Sequence, residues 1–313
     1  MPDLKYLPIS HLDSAALKPL MDEEEREWLS ELGWDYSPIR RILDSFIQQK
    51  LLPGYVAVDE ENKAAGYTYF LVNQAKGIIG TLYAPSQRYA QEMVEELISL
   101  TIACLKDSPK IKRIEAQIMP FNDLNLTAAF TQRGFACYRR YYMETDLNVS
   151  RLKSPPPFPG TILPLNPEYL PHAAKMTFLS YRNQTDAEIC EDYRSITGCE
   201  KYLRSLVENP GCGVFMPESS FMALDENGAI LGYVISCRIS GEAGMIPQIA
   251  IHPSYQGHGL GNSLMEHALR SFGNAHFQSV SLTVTKKNRR AFDWYQRLGF
   301  RIRKEFGAYV WQR

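Results

Sequence analysis

Apolar residues in the second half of the chain recur with two spacings, and each spacing predicts a different kind of element. Short apolar runs bounded by turn residues predict strands. These runs are "TILPL", "SSFMALD", "ILGYVISCRI", "AGMIPQIAIHP", "SVSLTV", "FRIRKEF" and "AYVWQ". Apolar residues three or four positions apart predict helices, in "YLPHAAKMTFLSYRN", "CEKYLRSLVEN", "RRAFDWYQRL" and a segment ending near Ser271. The Asn-Gly of "ENGA" predicts a hairpin between the second and third strands.

The first half of the chain presents the same elements in the same order. Strands are predicted in "GYVAVDEENKAAGYTYFLV" (two, with a turn), "KGIIGTLYAP", "IKRIEAQI" and "FACYRRYYMETDL" (again two). Helices are predicted in "PIRRILDSFIQQ", "RYAQEMVEELISLTIACLK" and "LNLTAAFTQRG". The closest local match sets "AFTQRGF" (129–135) beside "WYQRLGF" (294–300), which places Phe130 opposite Tyr295. An internal duplication is the economical explanation, and chance similarity of two α+β domains is the alternative.

A proline-rich segment divides these halves. "RLKSPPPFPG" (151–160) cannot continue a helix or pair within a sheet, so it predicts a stiff linker. The chain of 313 residues is comfortable for two domains. We therefore predict domains at 1–150 and 161–313.

Composition and charge exclude several classes of protein. Lys and Arg (34) nearly balance Asp and Glu (35), without the basic excess typical of a nucleic-acid binder. The amino terminus does not resemble a secretory signal, and no apolar run is long enough for a membrane span. Six cysteines occur without a Cys-x-x-Cys pair, which predicts buried reduced thiols, a cytoplasmic location and no metal site.

The stretch "SYQGHGLG" contains the strongest candidate chemistry. Glycines at 257, 259 and 261 lie between a strand and a helix, where converging backbone N–H groups and the helix dipole attract a phosphate or pyrophosphate. The dinucleotide fingerprint needs glycine where Asn262 stands, and the Gly-Lys-Ser/Thr of a P-loop is absent. A tight turn with close helix packing is the other interpretation of the glycines alone.

The context of this turn resembles the GNAT acyltransferase superfamily. The acyl-CoA signature of that family, Arg/Gln-x-x-Gly-x-Gly/Ala, is matched by Gln256, Gly259 and Gly261. Its second segment is matched by Asn288, Ala291, Tyr295, Gly299 and Phe300. The resemblance covers residues 161–313. In the first half it is limited to the order of the elements and to the Gly-Phe shared by "AFTQRGF" and "WYQRLGF". It implies two tandem GNAT-like domains of α+β class, each a mostly antiparallel twisted sheet flanked by helices.

The first half departs from the family pattern where chemistry requires a match. "SQRYAQE" lies between Pro85 and Met93 without glycine, and Phe130 replaces the tyrosine. Side chains in that turn would exclude a pyrophosphate. The first domain is therefore expected to be a degenerate copy that serves packing or shapes the substrate cleft.

The resemblance also implies a mechanism in the second domain. Acetyl-CoA is the cosubstrate, and a small-molecule or peptide amine attacks its thioester directly, aided by a strand N–H that polarises the carbonyl oxygen. Tyr295 is the expected general acid for the leaving thiolate, with a core aromatic as the alternative. Expected acetyl-CoA contacts are Gln248, Ile249, Ala250, Ile251, Gln256, Gly257, His258, Gly259, Leu260, Gly261 and Asn288. Pro247 and Pro253 bracket the strand segment, as at a point where a sheet splays open, and Asn288 is also a helix cap.

The general base and the acceptor stay open at this level. Gln248 stands where many family members carry a carboxylate, which leaves Glu242, His252 or a water chain. Lys286, Lys287, Arg289 and Arg290 suit the CoA 3′-phosphate or a solvated helix start. Asp186, Glu188, Glu191 and Asp192 suit a cationic acceptor or an exposed acidic face. The alternative function is a non-catalytic acyl-CoA-binding protein or scaffold, and the oligomeric state is not encoded in any of these patterns.

Overall fold

The chain folds into two compact units. The computed structural model describes residues 4–85, 91–119, 126–147, 158 and 160–313. One unit comprises Met1–Arg140 together with Glu305–Arg313, and the other comprises Tyr141–Lys304. The units thus differ from the predicted domains, because the last residues of the chain belong with the first half. The proposed linker lies outside the described residues except at Phe158 and Gly160.

The first unit is a mixed sheet with helices on both faces. Its strands are β1 (Lys5–Pro8), β2 (Gly54–Val58), β3 (Ala64–Asn73), β4 (Lys76–Tyr83), β5 (Arg113–Ile118) and the end of the last strand, β13 (Arg301–Gln312). They lie in the order β1-β2-β3-β4-β5-β13. Its helices are α1 (Ser14–Leu32), α2 (Ser37–Gln48), α3 (Gln91–Asp107) and α4 (Leu126–Thr131). Neighbouring strands are antiparallel except β4 and β5, which α3 connects as a parallel pair.

The second unit repeats this arrangement. Its strands are the end of β6 (Ala136–Asp146), β7 (Thr161–Pro164), β8 (Val214–Phe215), β9 (Phe221–Leu224), β10 (Ile230–Arg238), β11 (Ala243–Ile251) and β12 (Ser279–Thr285). The order is β6-β12-β11-β10-β9-β7, and β8 also pairs with β10. β11 and β12 are parallel, whereas the pairs β10–β11, β8–β10, β9–β10 and β7–β9 are antiparallel. Its helices are α5 (Leu170–Tyr181), α6 (Asp186–Ile189), α7 (Ile196–Glu208), α8 (Leu260–Asn274) and α9 (Arg289–Arg297). The predicted α+β class with a mostly antiparallel sheet is confirmed.

Two places where the sequence predicts a pair of strands contain one continuous strand. β6 runs unbroken from Ala136 to Asp146, because no turn residue interrupts it. β13 runs through Gly307, which pairs with Ile118 of β5 instead of breaking the strand. A Cβ atom at Gly307 would overlap the Tyr309 ring, so this glycine provides room for an aromatic neighbour.

Equivalent helices end in the same way in the two units. α4 is followed by Gly134 at φ 81° and α9 by Gly299 at φ 96°, a left-handed conformation that glycine adopts without strain. The next residue then bonds back to the matching aromatic: Phe135 N–H to Phe130 O (3.2 Å) and Phe300 N–H to Tyr295 O (3.0 Å). The local echo in the sequence therefore encodes one helix-ending motif used twice.

The cysteine prediction is only partly right. All six cysteines lie in the described part of the chain as thiols without disulfide bonds, and Cys199 and Cys237 are buried. Cys104 is exposed, although its apolar neighbours suggested burial. It lies on the outward side of α3, while Thr101, Ile102 and Leu105 point into the core.

Across the described ranges, helices long and apolar enough to span a bilayer do not occur.

Candidate active site

A gap opens in the second sheet where β11 leaves β12. The parallel pairing runs from Ala243 opposite Ser279 to Ile246 opposite Leu282, and ends there. Pro247 follows, and it has no N–H to donate. Beyond it β11 stays paired with β10, from Gln248 opposite Ile235 to Ile251 opposite Gly232. The opening therefore begins at the proline, where the sequence predicted it.

The gap exposes one set of backbone groups on β11. The His252 N–H donates to Leu231 O across the β10–β11 pair at 2.8 Å. Because direction alternates along a strand, the N–H and C=O groups of Ile249 and Ile251 point away from β10, into the gap. Their carbonyl oxygens accept bonds from side chains of α5: Tyr181 Oη to Ile249 O (2.9 Å) and Ser180 Oγ to Ile251 O (2.9 Å).

The glycine turn lies at the end of this exposed segment. Gly257 and Gly259 both have left-handed backbones, with φ values of 85° and 89°. Gly259 is the residue before α8, and no side chain caps the first amides of that helix. A Cβ atom at Gly259 would meet no other atom within 4 Å, so the space above the turn is open. Free amides, a helix dipole and open space form a site for an anion.

A cleft of about 410 Å³ joins the gap to the turn. Its lining residues are Ser180, Tyr181, Gln184, Ile249, Ala250, Ile251, Gln256, Gly257, Gly259, Gly261, Asn262, Asn288, Arg290, Ala291, Trp294, Tyr295 and Arg297. Nine of the twelve predicted site residues are among them: Ile249, Ala250, Ile251, Gln256, Gly257, Gly259, Gly261, Asn288 and Tyr295. The structure therefore brings both halves of the sequence motif to one cavity.

Three predicted contacts lie elsewhere. Gln248 is buried on β11, where the Tyr193 hydroxyl donates to its Oε1 at 2.8 Å. Leu260 is buried in the core, as the inward side of α8 requires. His258 is exposed, with its Nδ1 3.1 Å from Gln256 O. Gln248 is thus held by Tyr193 instead of lining the cleft, and the turn of the helix directs Leu260 inward.

α9 supplies the opposite wall. Asn288 caps the helix, since its side chain accepts from the Ala291 N–H at 3.2 Å. Tyr295 is mostly buried, with its ring 4.8 Å from Trp294 and 6.0 Å from Phe300, yet it reaches the cleft. It serves as a core aromatic and as a cleft residue at once. Trp294 Nε1 donates to Asn262 Oδ1 at 2.5 Å, which joins α9 to α8 beside the turn.

Of the four basic residues that the sequence suggests for the CoA 3′-phosphate, Arg290 is the one that lines the cleft. Its Nη1 donates to Gln256 Oε1 at 3.0 Å, and its Nη2 would be 3.7 Å from a Cβ atom at Gly257. Arg289 faces Asp293 at 3.9 Å, and Lys286 lies over the Tyr141 ring. Arg290 is therefore placed to add positive charge at the anion site.

Neither side chain suggested as a base reaches the cleft. Glu242 precedes the first residue of β11, at the opposite end of the strand from the turn. His252 lies beside the turn, but its Nδ1 accepts from the Ser254 N–H and its ring faces Tyr255. The residues that the sequence missed are Ser180, Tyr181 and Gln184, which no local pattern connects to β11. Trp294 could have been found from its spacing of three residues from Ala291, and Arg297 lies three residues beyond Trp294 on the same face of α9.

Tyr181 is a partly buried residue of the cleft wall. Its ring stacks on Tyr193, with centroids 4.6 Å apart. Burial, reinforced by nearby Tyr295 and Asp186, raises the pKa of Tyr181 well above its ordinary value of 10.0. Tyr181 is therefore a neutral hydrogen-bond donor at neutral pH.

Known proteins share this region of the sequence. Residues 187–300 match the sequence profile of the Acetyltransferase (GNAT) family. This chain is also 26% identical over 145 residues to N-alpha-acetyltransferase 30 from Saccharomyces cerevisiae, an alignment that covers 42% of this chain and 74% of that protein. The segment that matches the family, residues 187–300, includes the glycine turn and Tyr295.

Solved structures share the fold across both units. A GCN5-related N-acetyltransferase from Sphaerobacter thermophilus superposes with a TM-score of 0.69 at 15% identity, covering 100% of this chain and 96% of its own. A tandem GNAT protein from the clavulanic acid biosynthesis pathway gives a TM-score of 0.59 at 13% identity, covering 99% and 98%. The fold is thus a tandem GNAT fold, and residues 187–300 form an acetyltransferase domain of the GNAT family.

Proposed function

We propose that the second unit transfers an acetyl group from acetyl-CoA to a primary amine. One observation carries this proposal: the opened β11–β12 edge, the uncapped glycine turn and Tyr295 all face the same cleft. An extended, amide-bearing donor with a pyrophosphate at one end suits a strand edge that leads to an anion site. The GNAT profile match over the same residues supports this donor class.

The donor is held by backbone groups along this path. The amides at the start of α8 would receive the pyrophosphate, with Arg290 beside them. The outward N–H groups of Ile249 and Ile251 and the C=O group of Ile249 would pair with the amides of the pantetheine arm. Each carbonyl oxygen has two lone pairs, so the bond from Tyr181 leaves one acceptor position on Ile249 O, whereas Ile251 O already accepts from both Ser180 and Gln256 Nε2.

Chemistry in the cleft needs one donor for the thioester oxygen and one acid for the thiolate. A neutral amine nitrogen attacks the carbonyl carbon, and an outward N–H of β11 stabilises the charge that develops on the oxygen. Collapse of the tetrahedral intermediate breaks the C–S bond. Tyr295 gives its phenol proton to the departing sulfur and regains one from the nitrogen, which leaves the amide and the free thiol.

The proposal is tested by acetyl-CoA-dependent thiol release with a panel of amines. The panel includes alkylamines, diamines and peptides with a free amino terminus, because one relative is named an N-alpha-acetyltransferase. We expect release to depend on at least one of them and the product to carry one acetyl group by mass spectrometry. Tight acetyl-CoA binding without transfer to any amine would instead support the non-catalytic acyl-CoA-binding alternative.

A further inference from the structure

Four carboxylates lie close together in the segment that follows α5, and their environments differ. Glu188 and Glu191 are exposed, and Asp192 Oδ2 lies 3.7 Å from Cys190 Sγ. Asp186 is bonded to a strand end: its Oδ1 accepts from Thr285 Oγ1 at 2.7 Å. Thr285 is almost fully buried at the carboxyl end of β12.

The second oxygen of Asp186 is the unusual feature. Oδ2 is shielded from solvent and has no hydrogen-bond partner among the described residues. A buried carboxylate oxygen without a donor is unfavourable by an amount comparable to a lost charged hydrogen bond. The site would therefore be completed by a small donor, and a cationic one satisfies it best.

Asp186 also lies between two parts of the cleft wall. It follows Gln184 of the wall by two residues, and its partner Thr285 accepts the N–H of Asn288, another wall residue, at 2.8 Å. Its charge is felt by Tyr181, which lines the cleft and neighbours Tyr295. The carboxylate is thus connected to the cleft wall through Thr285 and through its charge on Tyr181.

We propose that Asp186 binds the ammonium group of the acceptor and takes its proton before attack. This inference rests on the proposed amine acetylation. It supplies the base that β11 lacks, because the Gln248 amide cannot take a proton from an ammonium and Glu242 lies at the far end of the strand.

The proton balance is complete with two groups. The ammonium loses one proton to Asp186, and its freed lone pair forms the C–N bond as the thioester π pair moves to oxygen. The C–S bond then breaks, Tyr295 protonates the sulfur, and the second nitrogen proton restores the phenol. Asp186 finally releases its proton to solvent.

Asp186→Asn tests this role, because asparagine keeps the shape and a hydrogen-bonding group for Thr285. Two acceptors are compared at neutral pH in the full-length chain: n-butylamine, which is an ammonium ion, and hydroxylamine, which is already neutral. We expect the Asn variant to lower kcat/KM for n-butylamine by at least ~10-fold and that for hydroxylamine by less than about threefold. Affinity for acetyl-CoA and thermal stability should stay unchanged.

Glu188→Gln is the matched control, since it removes an exposed carboxylate from the same short helix. This variant should leave kcat/KM unchanged for both acceptors. Equal losses for both acceptors in Asp186→Asn would overturn the proposal and give Asp186 a structural role. An unchanged rate with n-butylamine would also overturn it and indicate that a solvent molecule satisfies Oδ2. If the unmodified protein acetylates neither of these two amines and no other amine in the panel, the proposed function itself is wrong.

Discussion

The two units keep the same framework and differ at the places where a ligand would enter. In each, a parallel strand pair ends after four paired positions: Lys76–Ile79 with β5 in the first, and Ala243–Ile246 with β12 in the second. In both units, the strand that pairs with the parting strand contains a Gly-Tyr sequence. These residues are Gly66-Tyr67 on β3, which pairs with β4, and Gly232-Tyr233 on β10, which pairs with β11. Both tyrosines are fully buried and hydrogen-bond to the first long helix of their unit.

The two units differ in the residue that pairs with this tyrosine on the neighbouring strand. Tyr233 pairs with Ala250, a small residue that lines the cleft. Tyr67 pairs with Tyr83, whose large side chain is fully buried. The helix partner also changes, from Thr177 in the second unit to the carboxylate of Glu24 in the first. At these positions the first unit has a large tyrosine side chain and a hydrogen bond to a carboxylate, whereas the second unit has a small alanine that lines the cleft.

The matched aromatics on α4 and α9 differ in the same direction. Phe130 is fully buried, and Tyr309 of β13 stacks on it with centroids 4.0 Å apart and planes 9° apart. Tyr295 retains a hydroxyl and reaches the cleft. The first unit thus keeps the framework of the second with packed aromatic side chains at the matched positions. The glycine-free turn of the first unit lies partly outside the described residues.

The largest expected effect concerns β13 and the integrity of the first unit. A fragment of residues 1–150 lacks Glu305–Arg313, so the edge of β5 and the face of Phe130 lose their cover. We expect this fragment to be unfolded by circular dichroism and to fold when residues 301–313 are supplied as a peptide. The fragment Tyr141–Lys304 contains the whole second unit and should fold alone. A cooperatively folded 1–150 fragment without the peptide would show that β13 is dispensable.

Gly259→Val is expected to abolish acetyl-CoA binding in calorimetry. The new side chain would occupy the open space above the turn, at a φ of 89° that a β-branched residue tolerates poorly. Gly228→Val is the matched control, because its φ is 77° and its Cβ atom would likewise meet nothing within 4 Å. The control should bind one acetyl-CoA per chain. Two equivalent sites in the unmodified protein would contradict the difference between the units.

Tyr295→Phe makes the second unit resemble the first at its aromatic position. The ring packing against Trp294 and Phe300 is retained, so folding should be unchanged. We expect kcat to fall by at least ~30-fold, near 2 kcal/mol in the barrier. Acetyl-CoA affinity should stay within about threefold. Tyr309→Phe removes a phenol hydroxyl from the first unit and should leave the rate unchanged, and full activity of Tyr295→Phe would exclude this tyrosine as the acid.

The smallest expected effect is a pH dependence of stability due to Glu24. Burial raises the pKa of Glu24 above its ordinary value of 4.5, against the opposing bonds from Tyr67, Trp28 and Thr81. A raised pKa in the folded state means that folding favours the protonated form, so this stabilisation is present at low pH and is lost as the pH rises through the folded value. Compared with Glu24→Gln, the unmodified protein should gain stability towards urea as the pH falls towards 4.5. Exposed Glu31→Gln should show no such trend relative to the unmodified protein, and a constant difference for Glu24→Gln would contradict the assignment.

The sequence by itself determined most local structure and half of the site. Apolar spacing located most strands and helices, although it missed the 19-residue helix α1 and the strand β1, and Gly134 and Gly299 marked two equivalent helix ends. The glycine turn, the Asn288 cap and Tyr295 were found because their roles depend on residues nearby in the chain. Such features need only backbone conformation and short-range bonds, which local sequence encodes.

Only the tertiary structure decided which distant segments meet. It assigned the end of β13 to the first unit, because strand pairing depends on edges that become available once other strands have formed. It placed Tyr181 on Ile249 and Asp186 on Thr285, although no periodicity relates the end of α5 to β11 or β12. It also bonded Gln248 to Tyr193 instead of placing it in the cleft lining, a contact between residues 55 positions apart that no local pattern encodes. An apolar pattern specifies that a residue is buried, whereas the contacts that bury it are set by the packing of the whole domain.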